Sequence, residues 1–324
     1  MNIRSLWLGS GFGLALSIVA AAPLAAQTFP DRPIKLVVSS PAGGGADLLV
    51  RFVAAKMQPM AGQPVIVENK PGANGNIAND YVANAKPDGY TVLFAASSAI
   101  IANRYVMKDV TFDAMKELEP VGSVFRIGMV LTVPPSSPIK SVQQLIEHLK
   151  AKKTKILYGV PTTSVLGGSA LFKLVTGTNG EGVNYKSMMD ASRDVSSGDI
   201  DYSFLDTTLG MGQERAGRLR VLAVSTATRL DSAPNVPTMK EAGVKDYEYI
   251  NFWGVWLPAK TPSAIALKLN GWLSEIIQTP DGRKFITDSA GEVWPSTPDG
   301  LRTQMVEHDD LWKRLVKDVG IEPQ

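Results

Sequence analysis

The sequence predicts an α/β protein of two lobes, and three observations carry that expectation. Short apolar, β-branched runs alternate with amphipathic stretches of helical period along most of the chain. Glycine- or hydroxyl-rich junctions, such as 43–45 and 161–164, join several of those runs to the stretches that follow. At 324 residues the chain is also long enough for more than one hydrophobic core.

In order, 34–39 is an apolar strand, followed by Pro-Ala-Gly-Gly-Gly-Ala-Asp and a helix over 48–60. A second strand over 65–68 leads through Asn-Lys-Pro-Gly-Ala-Asn-Gly-Asn to a helix near 77–84, and Asp88-Gly89 precedes a third strand over 91–95. This βαβαβ order implies a parallel sheet with helices on its faces, and uninterrupted apolar strands imply burial on both sides. A second set follows: strands over 127–133 and 156–160 flank a helix near 141–152 that Ser141 caps. A helix over 165–176 precedes strands near 183–185, 202–205 and 221–225, then one over 249–257. Helices over 262–279 and 298–319 each open with proline, which suits a first turn. Extended segments near Phe125 and Trp253 are the candidate crossings, dividing the chain into 27–124 with 254–324 and, between them, 125–253. Paired α/β units leave a crevice at the carboxyl ends of their strands.

Composition narrows the function. Apolar residues make up 44% and charged residues 20%, which is globular rather than disordered. Lys and Arg total 33 against 31 Asp and Glu, so no broad basic surface for nucleic acid is expected. The absence of cysteine excludes disulfides, thiolate metal sites and cysteine nucleophiles. Residues 1–26 carry one charge, Arg4, before an apolar middle and a small-residue exit, the pattern of a secretory signal peptide. Cleavage is expected after Ala26, although Leu24 is larger than usual three positions back. No later stretch reaches about 18 uninterrupted apolar residues, so the mature protein is expected to be soluble and exported.

The run from Ser39 through Ser40, Pro41, Ala42, Gly43, Gly44 and Gly45 to Asp47 joins a strand to a helix. Backbone N–H groups at such a junction favour an anion, and glycines let a ligand approach them closely. No Gly-Lys-Ser/Thr follows, and Leu48 occupies the third glycine position of a dinucleotide fingerprint, so a carboxylate is the natural anion. Thr162, Thr163 and Ser164 repeat the arrangement with three hydroxyls, where capping needs one. Ser97 and Ser98 end a buried strand in the same way, more weakly. Arg126 can grip a carboxylate with two parallel N–H bonds, or pair with a neighbouring acid. Phe252 and Trp253 fit either a core or a ligand wall.

Catalysis finds few parts. The two histidines, His148 and His308, stand on charged helices 160 positions apart, and the mature chain has neither Gly-x-Ser-x-Gly nor His-Glu-x-x-His. A carboxylate pair is the one enzymatic arrangement the sequence leaves open.

The ordered motifs Phe29-Pro30-Asp31-Arg32-Pro33-Ile34, Pro41-Ala42-Gly43-Gly44-Gly45-Ala46-Asp47, Val67-Glu68-Asn69-Lys70-Pro71-Gly72-Ala73-Asn74-Gly75 and Pro87-Asp88-Gly89-Tyr90-Thr91 resemble the tripartite tricarboxylate transporter receptors, also known as Bordetella uptake proteins. Leu219-Arg220-Val221-Leu222-Ala223-Val224, Val236-Pro237-Thr238 with Glu241-Ala242-Gly243, and Trp253-Gly254 continue the likeness over nearly the whole mature chain. The resemblance implies a type II periplasmic binding protein, a venus flytrap of two lobes joined by crossing strands. It implies no cofactor or metal, a monomer, a small carboxylate ligand and delivery to a two-subunit membrane permease. It points to Ser40, Pro41, Ala42, Gly44 and Gly45 in one lobe, to Thr162, Thr163 and Ser164 in the other, and to Asp206 near the cleft. Where the family usually has Val-Pro-Tyr-Lys-Gly, this chain has Val183-Asn184-Tyr185-Lys186-Ser187, which makes Asn184 and Ser187 candidates for ligand-specific contacts. A histidine common in the family is missing from 166–170, and Arg126 replaces an uncharged residue. Arg126 with Phe125, Phe252 and Trp253 leads to the expectation of an aromatic diacid such as terephthalate, with an aliphatic di- or tricarboxylate as the alternative. An exported enzyme acting on a small acid is the competing class.

Overall fold

The computed structural model describes residues 29–110, 112–231, 233–288 and 291–323. The expected signal segment, 1–26, lies outside the described residues. The chain runs β1 (Ile34–Val38), α1 (Gly45–Ala61), β2 (Val65–Asn69), α2 (Asn76–Ala83) and β3 (Thr91–Ala96). A π-helical turn (Ser98–Ala102) then leads to α3 (Asn103–Val106), α4 (Ala114–Glu117) and β4 (Leu118–Ile127). Next come β5 (Met129–Val133), α5 (Val142–Ala151), β6 (Leu157–Val160), α6 (Thr163–Thr176), β7 (Glu181–Asn184), α7 (Met188–Ser197), β8 (Tyr202–Asp206), α8 (Thr207–Arg215) and β9 (Arg220–Val224). The last elements are β10 (Asn251–Pro258), α9 (Ser263–Gln278), α10 (Pro280–Asp288), β11 (Glu292–Val293) and α11 (Pro298–Val319).

Two sheets organise these elements, in the orders β11-β4-β10-β3-β1-β2 and β7-β6-β8-β5-β9. The parallel expectation holds where βα units repeat: β1 pairs in parallel with β2 and β3, and β6 with β7 and β8. It does not extend to the strands that carry the chain between the sheets. β10 runs antiparallel to β3 and β4, and β5 antiparallel to β8 and β9, so both sheets are mixed. A strand that leaves one sheet for the next enters against its neighbours instead of returning through a crossover helix.

The passage itself is Gly128, between Ile127 of one sheet and Met129 of the other. A Cβ there would lie 2.5 Å from Thr226 Cγ2, on the segment that returns to the first sheet, so the two crossings pack closely only with glycine. Phe125 and Trp253 pair with each other across β4 and β10, inside the first sheet and a few residues from the passage.

Each sheet has its own core. Val38, Val50, Phe94 and Leu257 are buried in the first, and Leu131, Leu145, Phe172 and Phe204 in the second. α11 serves both: Met305 and Trp312 pack behind the first sheet with Phe252 and Trp256, while Leu315 joins the second core. The first half of β4 escapes recognition in the sequence because Pro120 and Gly122 interrupt its apolar run. Pro120 sits beside a register shift against β10, where a missing ladder donor is tolerated. Gly122 leaves room for Ser296 O, 2.6 Å from where its Cβ would stand.

Candidate functional site

A cavity of about 810 Å³ lies where the carboxyl ends of the strands meet. Gly45, Ala46 and Leu49 of α1 and Ser98 at the end of β3 line it from the first sheet, and Thr162, Ser164 and Asp206 from the second. Phe125, Ile127 and Met129 beside the crossing, with Trp253 on β10, form its wall. The Phe125 and Trp253 rings stack at 6.0 Å with planes 7° apart, a flat apolar surface.

Several helices begin at this cavity, and the caps of α1, α6 and α8 differ. The N-cap of α1 is Gly44, so among the described residues no cap side chain accepts from the amides of its first turn. α6 is capped by a neutral hydroxyl, Thr162 Oγ1, which accepts from Val165 N at 3.2 Å. α8 is capped by a carboxylate: Asp206 Oδ1 accepts from Leu209 N at 2.7 Å. Burial raises the Asp206 carboxyl above its usual range, and the Leu209 and Thr208 amides oppose that shift only in part.

The loop ahead of α1 is held by a residue that does not line the cavity. Asp47 is buried and accepts from Gly43 N at 2.8 Å, Arg51 Nε at 3.0 Å and Asn69 Nδ2 at 2.8 Å. Asn69 also donates to Ser40 O at 3.0 Å, tying the loop to β2. The Arg51 guanidinium, helped by the Gly43 amide, holds the Asp47 carboxyl down to about 2. Gly43 adopts φ +81, where a side chain would be strained, whereas Gly44 is extended at φ −75.

Of the residues singled out in the sequence, Gly45, Ser98, Thr162, Ser164 and Asp206 come together here. Ser164 is hydrogen-bonded to the Tyr249 hydroxyl. The other candidates stand elsewhere. Pro41 and Ala42 are exposed on the loop, and Gly44 is outside the lining with its Cβ position 3.4 Å from Pro41 O. Ser40 Oγ is buried without a hydrogen-bond partner among the described residues. Ser97 Oγ donates to Asn251 Oδ1 at 2.7 Å and accepts from Phe252 N at 3.2 Å, which clamps β3 to β10. Thr163 and Asn184 line a second cavity on the other side of Thr162, where Thr163 Oγ1 lies 3.5 Å from Asn103 Oδ1.

Arg126 is not in the cleft. Phe125 and Ile127 face the cavity, so the residue between them on the same strand faces away. Its Nε donates to Glu292 Oε2 at 2.7 Å, and its guanidinium lies 5.3 Å from the Trp294 ring centroid. The neighbouring-acid alternative describes Arg126, and it anchors no second carboxylate in the cavity. Sequence reasoning missed Phe285 and Asp288 of α10 and Gln213 of α8, which also line the site. Nothing short of the fold brings α10 beside α1. Among the lining residues there is no Lys, Arg or His; the ionisable ones are Asp206 and Asp288.

A family profile described as the tripartite tricarboxylate transporter family receptor matches residues 49–321. The chain belongs to that family. A UPF0065 protein of Bordetella bronchiseptica is 35% identical over 322 residues, covering 96% of this receptor and 91% of that protein. Protein BugT of Bordetella pertussis is 30% identical over 326 residues, covering 99% of each chain. Among solved structures, R. palustris Rpa4515 with adipate superposes with a TM-score of 0.80 at 30% identity, covering 91% of this receptor and all of that chain. The periplasmic binding protein BugD gives 0.76 at 28% identity, with 91% of the receptor covered. With the family come the two-lobed binding-protein fold and the role of a solute-binding receptor rather than an enzyme. Among the described residues no helix is long and apolar enough to cross a membrane, and no cluster of ligating side chains could hold a metal ion.

Proposed function

We propose that this receptor works in the periplasm as a monomer, after removal of its signal segment, and captures a small carboxylate for a two-subunit membrane permease. The observation that carries the reading is the uncapped start of α1, opening into a cavity whose opposite rim supplies hydroxyls. Amides at Gly45 and Ala46 would hold the carboxylate, and Thr162 would close onto it from the other lobe. A ligand favours closure only through interactions that the closed form alone provides, so second-lobe residues should govern affinity.

The stacked Phe125 and Trp253 rings favour a flat apolar body, an aromatic carboxylate, with terephthalate as the diacid of that class to be tried. An aliphatic diacid is the second reading, supported by the adipate in the Rpa4515 structure. Thermal-shift screening of aromatic and aliphatic carboxylates tests this, since a bound ligand raises apparent stability by mass action. Stabilisation by at least one carboxylate, recovered chemically unchanged, is expected. A screen in which none of them stabilises the protein counts against the reading.

A further inference from the structure

The charge inventory of the cavity says more about the ligand than its volume does. A receptor for a diacid needs compensation for two negative charges in a space largely withdrawn from water. This cavity has one α-helix start without a side-chain cap, the first turn of α1, and no basic side chain among its described lining residues. Its ionisable lining residues are both acids. Asp288 is half engaged by Lys284, 2.8 and 3.1 Å from its two carboxylate oxygens. Asp206 has no salt-bridge partner among the described residues. Its carboxylate already accepts from two backbone amides, Leu209 N on Oδ1 and Thr208 N, and two carboxylate oxygens retain acceptor capacity beyond those bonds.

The helix starts sharpen the contrast. An uncapped N-terminus presents partial positive charge, whereas one capped by a carboxylate has that charge compensated and presents an acceptor instead. The cavity is therefore polarised between α1, which seeks an anion, and α8, which repels one.

We infer that the receptor selects a carboxylate whose far end is a hydrogen-bond donor or a cation, with Asp206 as the specificity-determining acceptor. This rests on the carboxylate reading above, keeps its flat apolar body and decides against the diacids within it, terephthalate included. A ligand of this kind leaves no buried charge unpaired, whereas a fully ionised diacid sets its second carboxylate against Asp206. Arg126 cannot relieve that repulsion, because it faces away and is paired with Glu292. Affinity comes from the common carboxylate, and choice among ligands from the penalty on the wrong far end.

The test compares three probes of one ring size on the purified protein by titration calorimetry at pH 7: benzoate, 4-(aminomethyl)benzoate and terephthalate. The expected order is the amine tightest, benzoate next and terephthalate weakest, with roughly tenfold or more between the extremes. Asp206→Asn keeps a good cap for α8 and should shrink that gap at least about fivefold, chiefly by improving terephthalate. Terephthalate binding the unaltered protein more tightly than the amine would overturn the inference, and this ranking needs no variant to fold. An unchanged gap in a cooperatively folding Asp206→Asn protein would overturn the role of Asp206. Failure of all three probes, benzoate included, would instead overturn the carboxylate reading on which the inference rests.

Discussion

The starts of α1 and α8 both open on the same cavity, one from each lobe, yet they present opposite charge to a ligand. At α1 the capping position is Gly44, the first-turn amides are unspent, and the one carboxylate nearby, Asp47, is turned into the loop and consumed there. At α8 the capping position is Asp206, and a carboxylate faces the space the ligand would fill. Placement of a helix end at a cavity is thus a matter of fold, while its preference is decided by one residue at the cap and by where the nearest acid points. Two acids three residues or less from a helix start play different parts: Asp47 holds the loop ahead of α1, and Asp206 caps α8 facing the cavity.

This contrast is most sensitive to change at Gly45. A Cβ there meets nothing within 4 Å, so Gly45→Val should fold while placing its branches against the incoming carboxylate. Loss of at least ~100-fold in carboxylate affinity, about 2.7 kcal/mol, is expected by calorimetry, against a smaller loss for Gly44→Val, since Gly44 is not among the lining residues and its Cβ would meet Pro41 O at 3.4 Å.

Asp47→Asn comes next. It removes the charged acceptor of Arg51 Nε and Gly43 N and should cost roughly 1.5–3 kcal/mol of stability, with a parallel loss of affinity as the loop loosens. The pH dependence has a definite sign. The folded carboxyl is held at about 2, below its ordinary 3.8, so its contribution is complete above the ordinary value and is lost as pH falls towards 2. Urea midpoints between pH 5 and 2 should fall less steeply in Asp47→Asn than in the parent; equal slopes would show that this group does not contribute.

Smaller effects belong to the second lobe and to the back of the first. Thr162→Ala should cost about 1 kcal/mol in thermal stability through the lost cap, together with weaker ligand binding. Arg126→Ala should change stability by about 1 kcal/mol or less, since the Glu292 pair is partly exposed. Affinity for mono- and diacids should stay within about twofold of the parent, as expected for a residue outside the site. A selective loss of diacid binding in that variant would return Arg126 to the ligand.

Local chemistry made much of this legible in the sequence. Continuous apolar runs gave away β1 and β3, and Ser141 is the cap of α5 because hydroxyl caps work through three-residue spacing. The glycine-rich junction pointed to a helix start at the cavity for the same local reason, and Gly45 lines it. Facing directions across a strand were the weak point: Arg126 between Phe125 and Ile127 has the right sequence neighbours and the wrong face, and only knowing which neighbours line the cleft decides it. Thr163 and Asn184 line the second cavity, past Thr162, a placement that the local sequence does not reveal. Asp47 was visible as part of a motif, but its role depends on Asn69 of the next strand, 22 positions away. Phe285 and Asp288 reach the cavity from α10, more than 200 positions beyond α1, a juxtaposition set by tertiary packing alone.

The opposed preferences of the two helix starts can be read directly from their amides in one NMR titration. With 15N-labelled receptor and a saturating carboxylate, the Gly45 and Ala46 N–H signals should move downfield along a common binding curve, because their protons acquire a charged acceptor. The Leu209 N–H, already bonded to Asp206, should barely move. A saturable shift confined to Leu209 and its neighbours, with Gly45 and Ala46 unaffected, would contradict the assignment of the anion to α1.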